Sequence, residues 1–145
     1  MNSYEFLTGG TELVQSTQQL YHDFARENGI SYNTLAVLYT CRISGGCTQK
    51  RIAAEWQLPK QTVNSVCKEL LQKGLISKQK STGDRRETKI SLTKEGETVT
   101  APVVEKLLQI EDGILSRLGQ EKAAHFLKIY TEIKDIMVSE FNKRR

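Results

Sequence analysis

The segment from residue 48 to residue 92 carries helix and strand signals at spacings that leave few alternatives for its fold. Thr48 stands where a helix N-cap belongs, so a short helix is predicted at 49–56. Leu58-Pro59 marks the next boundary, and a second helix is expected from 59 to 73, ending at Gly74. Two strand-like stretches, 75–80 and 88–92, then flank a charged, turn-rich connection at 81–86. This order predicts two short helices joined by a tight turn and followed by a β-hairpin.

Helical periodicity continues on both sides of this segment. Apolar pairs recur every seven residues from Phe6-Leu7 onward, which predicts a helix ending at Asn28-Gly29, although Gly9-Gly10 is expected to delay its start. Ser31 can cap a further helix to about residue 43. A long helix is predicted at 93–118 with a kink at Pro102, and a last one at 121–141. The apolar stripe of that last helix consists of Phe126, Tyr130, Ile133, Met137 and Phe141. The predicted fold class is mainly α with a small β-hairpin wing.

Charge is concentrated in the middle of the 145-residue chain, whose net charge is +4. Residues 48–92 hold ten basic and four acidic side chains, which suggests a polyanionic partner, although a merely solvated basic face gives the same count. No apolar run approaches the roughly 18 residues that a membrane span needs, and no export signal is evident, so a cytoplasmic location is expected. Cys41, Cys47 and Cys67 follow no metal-binding or CxxC pattern and are interpreted as reduced thiols.

The second short helix divides into an apolar face and a polar face. At 100° per residue, Val63, Val66, Cys67 and Leu70 fall on one side, which is expected to face the core. The opposite side carries amides, a hydroxyl and a lysine, namely Gln61, Asn64, Ser65, Lys68 and Gln72. Asn and Gln pair with adenine and Lys with guanine, so this face suits the major groove of double-stranded DNA. The same side chains also occur on ordinary solvated helices.

The hairpin favours the nucleic-acid interpretation. Arg85 and Arg86 follow Gly83 at the predicted tip, where guanidinium groups can enter a narrow minor groove. Lys60 and Thr62 lie in the first turn of the second helix, beside its positive end, and can reach phosphate. Lys78, Lys80 and Lys89 would add phosphate contacts from the strands. The DNA-contact candidates are therefore Thr48, Gln49, Lys60, Gln61, Thr62, Asn64, Ser65, Lys68, Arg85 and Arg86.

The spacing of these residues resembles the MarR family of winged helix-turn-helix regulators. The matching positions are Thr48, Ala53, Leu58, Lys60, Thr62-Val63, Leu70, Gly74-Leu75-Ile76, Asp84-Arg85-Arg86, Leu92-Thr93 and Gly96. The resemblance implies one domain over 1–145, with a DNA-binding lobe at 30–92 and a connecting helix at 93–118. It also implies a homodimer held by entwined helices at 1–28 and 119–142, and repression relieved by a small phenolic or other lipophilic effector. Pro59 and Pro102 depart from the family pattern.

Several alternatives accompany this interpretation. An effector pocket is predicted between Tyr21, Phe24, Leu38, Tyr39, Val99 and Val103, but these residues could equally be plain core. His22 and His125 are isolated, so neither a metal site nor any other cofactor is expected, and Cys67 is assigned a packing role rather than a sensing role. No catalytic motif supports an enzyme. A winged-helix module that binds proteins instead of DNA remains the other candidate.

Overall fold

The computed structural model describes residues 1–80 and 87–144, which form six helices and three short strands. The chain consists of two compact units, Met1–Val104 and Glu105–Arg145. The elements in chain order are α1 (Ser3–Glu27), α2 (Tyr32–Ser44), β1 (Cys47–Thr48), α3 (Gln49–Trp56), α4 (Lys60–Gln72), β2 (Ile76–Lys80), β3 (Thr88–Leu92), α5 (Lys94–Leu118) and α6 (Gln120–Asn142). The mainly helical fold class predicted from the sequence is confirmed.

Helix α1 begins earlier than predicted. A capping box at Asn2 and Glu5 starts it, because the Asn2 side chain accepts from the Glu5 amide and the Glu5 carboxylate accepts from the Asn2 amide. The helix then runs through Gly9-Gly10, so the predicted interruption there is wrong. A helix-interior glycine costs only about 1 kcal/mol relative to alanine, which weakens a helix without ending it. Gly29, with φ +74°, follows the last turn as predicted.

The caps of the next three helices follow from local sequence. Ser31 accepts from the Thr34 amide at 3.0 Å, and Thr48 accepts from the Arg51 amide at 3.2 Å. Pro59 lies at the N-cap of α4 rather than within its first turn, and it supplies no side-chain cap. Proline cannot provide a capping oxygen from its ring, so the first amides of α4 keep unused donors.

The wing contains one more strand than the predicted hairpin. The sheet is antiparallel with strand order β1-β3-β2, and Cys47 of β1 lies opposite Ile90 of β3. In the hairpin itself, Ile76 pairs with Leu92 and Lys80 with Thr88. A strand of two residues shows no periodicity in the sequence. It is defined only by its pairing with the distant strand β3. The added strand joins the wing to the residue that caps α3.

The core of Met1–Val104 lies where α2, α3, α4 and the sheet meet. Its buried apolar residues are Ala36, Val37, Leu38, Cys41, Cys47, Ile52, Ala53, Val63, Cys67, Leu70, Ile76 and Ile90. All three cysteines are free and buried, which agrees with the reduced thiols expected. Trp56 is half-buried at the edge of this cluster and donates from Nε1 to Thr40 Oγ1 at 2.9 Å.

The start of α5 is fixed by Thr93 and Gly96. Thr93 donates from its amide to the Leu75 carbonyl at 3.0 Å and from its hydroxyl to the Gly74 carbonyl at 2.6 Å, and it accepts from the Gly96 amide at 3.0 Å. Gly96 packs directly on the Leu75 carbonyl, where an added Cβ would lie 2.9 Å from the carbonyl carbon. The Leu-Thr-x-x-Gly spacing therefore ties the helix to the end of the turn that follows α4.

Two helices expose much apolar surface within this single chain. In α1, Leu13 is 70% and Leu20 67% exposed, and in α6 Phe126 is 59% and Phe141 70% exposed. Helix α5 is continuous through Pro102. No helix among the described residues is both long and apolar enough to cross a membrane.

Candidate nucleic-acid interface

Helix α4 places its two faces as the sequence predicted. Val63, Cys67 and Leu70 are buried, and Val66 is half-buried beside them. On the other side Gln61, Ser65 and Lys68 are exposed, and Asn64 is less exposed, being half-buried. Burial of the apolar face anchors the helix in the core, so the polar face is presented on a rigid element. The N-terminal half of α4 carries no acidic side chain. Glu69, one turn before the helix ends, pairs with Lys73 at 2.6 Å.

The beginning of α4 offers unpaired donors beside a lysine. No side chain caps this helix end, Lys60 is exposed, and Thr62 is half-buried. Uncapped amides and the helix dipole give such an end partial positive charge, which attracts phosphate oxygens. A depression of about 170 Å³ lined by Gln49, Lys50 and Lys60 lies at this point. The start of α3 and the start of α4 therefore share one basic surface.

A second depression connects α3 with the wing. It measures about 310 Å³ and is lined by Thr48, Gln49, Lys50, Lys78, Glu87 and Thr88. Thr48 and Gln49, two of the DNA-contact candidates, thus lie on the same concave surface as two lysines. Among the described residues that line it, Glu87 is the one acidic side chain. Lys50 was not among the predicted contact residues, although it directly follows Gln49 and contributes to the basic segment.

The lysines of this surface have no acidic partner among the described residues. Among residues 1–80 and 87–144, no carboxylate lies within ion-pair distance of Lys50, Lys60, Lys68 or Lys78. Arg51 differs, because its Nε is 2.6 Å from Glu55 Oε1. Unpaired lysines keep their full attraction for a polyanion, so the surface remains electrostatically positive.

The wing lysines divide between the two faces of the sheet. Lys80 lies opposite Thr88, and Lys78 lies opposite Ile90, so Lys78 and Lys80 share one face. Lys89 lies opposite Gln79 and belongs to the other face. The three predicted phosphate contacts therefore do not converge on one line. Arg85 and Arg86, predicted at the wing tip, lie outside the described residues.

The predicted effector pocket falls partly on an aromatic cluster. Tyr21 of α1 and Tyr39 of α2 both meet Trp56 edge to face, with ring centroids 6.3 and 5.8 Å away, and Tyr32 meets it at 5.4 Å. His22 stacks on Tyr32 at 3.9 Å, which gives this histidine a packing partner. Trp56 was missed as a candidate, because its half-buried position depends on packing between three helices.

The other predicted pocket residues differ in exposure. Leu38 is buried at 5% exposure, Phe24 and Val103 are half-buried, and Val99 is 53% exposed. The pocket remains a prediction. No group of three or more His, Cys, Asp or Glu side chains in the described part of the chain is placed to hold a metal ion.

The geometry and the comparisons define the class of this protein. A rigid helix with an exposed amide-and-lysine face, preceded by a shorter helix and followed by a sheet, is a winged helix-turn-helix. The sequence profile of the MarR family matches residues 28–87. The MarR family regulator NMB1585 from Neisseria meningitidis is 30% identical, covers 100% of both chains and superposes with a TM-score of 0.84. The chain belongs to the MarR family.

Two further relatives extend the comparison. The HTH-type transcriptional regulator YwhA from Bacillus subtilis (strain 168) is 28% identical over 125 residues, which cover 85% of this chain and 88% of YwhA. Staphylococcus aureus MarR, solved in complex with salicylate and kanamycin, is 18% identical with a TM-score of 0.65, and the match covers 95% of this chain and 93% of that one. At that identity the second likeness concerns the fold alone.

Proposed function

We propose that this chain is a sequence-specific DNA-binding transcriptional regulator. The observation that carries the proposal is the exposed polar face of α4 beside two depressions lined by unpaired lysines. Side-chain amides on a helix read base edges in the major groove, while lysines around it neutralise phosphates. We further propose that two copies bind a pseudo-palindromic operator, with recognition helices about 34 Å and half-sites about 10 bp apart. Such a protein represses neighbouring genes by occupying their promoter.

Two kinds of DNA contact are expected to respond differently to mutation. Gln61→Ala or Asn64→Ala should weaken operator binding by about 1–3 kcal/mol and relax the preference at one base pair, because each removes a base contact. Arg86→Ala should weaken binding to operator and scrambled DNA alike and reduce the salt dependence, because it removes a charge near phosphates. Each variant is titrated on both DNAs at two or more salt concentrations, after the operator has been selected from a random pool.

Gln72→Ala is the matched control for the helix variants. Gln72 is exposed on the same helix but lies at its C-terminal end, whereas the N-terminal residues of a recognition helix contact bases. This variant should bind like the unmodified protein. If Gln61→Ala, Asn64→Ala and Arg86→Ala all bind both DNAs as the unmodified protein does, the assignment of helix and wing is wrong. If the unmodified protein binds no DNA at all, the winged lobe serves protein partners instead.

We also propose that a small aromatic anion relieves DNA binding by occupying the region around Tyr21, Tyr39 and Trp56. The support is the cluster of edge-to-face rings there and the salicylate complex of S. aureus MarR. Salicylate should raise the melting temperature by several degrees at 100 times its Kd, where binding stabilises by about 2.7 kcal/mol. It should also weaken operator binding. Acetate, which carries the carboxylate without the ring, is the control, and no effect of salicylate on either quantity contradicts the proposal.

A further inference from the structure

Two cysteine thiols meet at the junction between α2 and the sheet. Cys41 Sγ lies 3.8 Å from Cys47 Sγ, and it also lies 3.9 Å from the carbonyl oxygen of Ile90. Cys41 is 1% and Cys47 5% exposed, and both belong to the core between α2 and the sheet. Their separation of six residues in sequence gives no indication of this contact. The close approach arises because β1 turns back along β3 after the Gly45-Gly46 turn.

The two thiols have opposite electrostatic environments. The pKa of Cys47 is lowered because its sulfur accepts from the Cys41 thiol, with further help from the Ser44 hydroxyl and the Arg51 guanidinium, while burial and the Glu55 carboxylate oppose this effect. The pKa of Cys41 is raised by donating to Cys47 and by burial. Cys47 is therefore the sulfur that ionises first, and Cys41 the sulfur that keeps its proton. A thiolate is the nucleophilic form of cysteine, so the pair is arranged as attacking and resolving sulfur.

We propose that Cys41 and Cys47 form a modification site for small hydroperoxides, at which they close to an intramolecular disulfide. The Cys47 thiolate attacks one oxygen of hydrogen peroxide, the O–O bond breaks, and Cys47 becomes a sulfenic acid while hydroxide leaves and takes a proton. The Cys41 sulfur then attacks the Cys47 sulfur, the S–S bond forms, the S–O bond breaks, and the hydroxyl leaves as water with the Cys41 proton. Overall, two thiols are oxidised by two electrons and one peroxide is reduced to two waters.

Closing the disulfide would pull on the residue that precedes the start of α3. A disulfide bond is about 2.05 Å long, so sulfurs now 3.8 Å apart must approach by roughly 1.8 Å. Cys47 is followed directly by Thr48, which caps α3 and lines the larger depression together with Lys50. Oxidation therefore weakens DNA binding by about 5- to 150-fold, which is the typical range of coupling between two sites. This effect rests on the proposed function.

Cys67 provides an internal control. It is fully buried in α4, and burial raises the pKa of its thiol to about 11. A thiol that stays protonated reacts slowly with peroxide, so Cys67 should remain reduced. Cys41 also keeps its proton, but its sulfur lies 3.8 Å from Cys47 and is oxidised only through that contact. A reduced Cys67 beside an oxidised Cys41–Cys47 pair would distinguish a specific disulfide from general oxidation of cysteines.

Peptide mapping of the unmodified full-length protein tests the disulfide without any variant. Trypsin cleaves after Arg26, Arg42, Lys50, Lys60 and Lys68, which places the three cysteines on separate peptides, 27–42, 43–50 and 61–68. After treatment with hydrogen peroxide and alkylation, peptides 27–42 and 43–50 should be joined, and dithiothreitol should separate them. Peptide 61–68 should be alkylated. Linkage to 61–68, a covalent dimer on a non-reducing denaturing gel, or oxidation that stops at sulfinic acid overturns the proposal.

The effect on DNA is measured on the same preparations. Peroxide-treated protein should bind the selected operator about 5- to 150-fold more weakly than reduced protein, and dithiothreitol should restore binding. Cys67→Ala should keep this response, whereas Cys47→Ser should lose it while retaining its circular dichroism spectrum. If reduced and oxidised proteins bind equally, the regulatory role is overturned. If the reduced protein binds no DNA, both the proposed function and the regulatory role are wrong. The peptide map decides independently whether the disulfide forms.

Discussion

Gly96→Ala is expected to lower the free energy of unfolding by about 3 kcal/mol, the upper part of the usual range for inserting a group into a packed site. The added Cβ would lie 2.9 Å from the Leu75 carbonyl carbon, and still closer to its oxygen. Backbone atoms cannot rotate away as a side chain would, so either α5 or the turn after α4 must shift. That shift also strains the hydrogen bonds of Thr93 to Gly74 and Leu75. Denaturant unfolding at one fixed protein concentration measures the change.

Gly113→Ala is the matched control, because it makes the same substitution in the same helix. Its added Cβ meets nothing within 4 Å, so only the helix preference of alanine acts, and stability should rise by about 0.5–1 kcal/mol. Gly96→Ala receives the same helix benefit, and its net loss therefore isolates the contact with Leu75. Equal behaviour of the two variants would mean that Gly96 is not packed on that carbonyl.

Deletion of residues 1–20 is expected to yield aggregates or unfolded chains. Nearly every side chain in this segment is exposed in the single chain, with only Thr8 and Gly9 half-buried. The deletion keeps Tyr21, whose ring contacts Trp56, and the buried Ala25. Apart from a 3.4 Å hydrogen bond from Gln18 to Tyr32, the segment contributes little to the single chain, so a loss of folding would point to surface that it covers in the proposed second copy. Each apolar side chain buried in such an interface would contribute roughly 1.5–3 kcal/mol.

Light scattering after size-exclusion chromatography measures the outcome. The unmodified protein should have the mass of a dimer, and Gln19→Ala, which alters an exposed polar side chain in the same segment, should leave that mass unchanged. Leu13→Arg should reproduce part of the deletion phenotype, because it places a charge on the apolar face. A soluble monomer that lacks residues 1–20 and still binds DNA would falsify the homodimer proposed from these helices.

Local signals made the fold largely predictable from the sequence. Ser31 and Thr48 cap their helices as expected, because a side-chain oxygen three residues before an amide needs no tertiary context. The burial of Val63, Cys67 and Leu70 followed from helical periodicity in the same way. Gly9-Gly10 was misread because glycine lowers helix stability without setting a boundary, and the Asn2–Glu5 capping box was the stronger signal.

The features that the sequence could not reveal depend on contacts between distant segments. Strand β1 exists only by pairing with β3, and the approach of Cys41 to Cys47 follows from that pairing. Lys50 belongs to the candidate interface because α3 lies next to the wing, and residues of both line one depression. The polar face of α4 was predictable, since residues on one helix face are fixed by spacing alone.

The aromatic cluster gives the chain an internal optical reporter. Trp56 is its one tryptophan, and the rings of Tyr21, Tyr32 and Tyr39 lie 5.4–6.3 Å from it. Light absorbed by these tyrosines is re-emitted largely through the indole, so emission measures whether α1, α2 and α3 still meet. The hydrogen bond from Trp56 to Thr40 makes the emission wavelength sensitive to water entering that junction. The intrinsic fluorescence spectrum can thus follow the junction of α1, α2 and α3 without an added label.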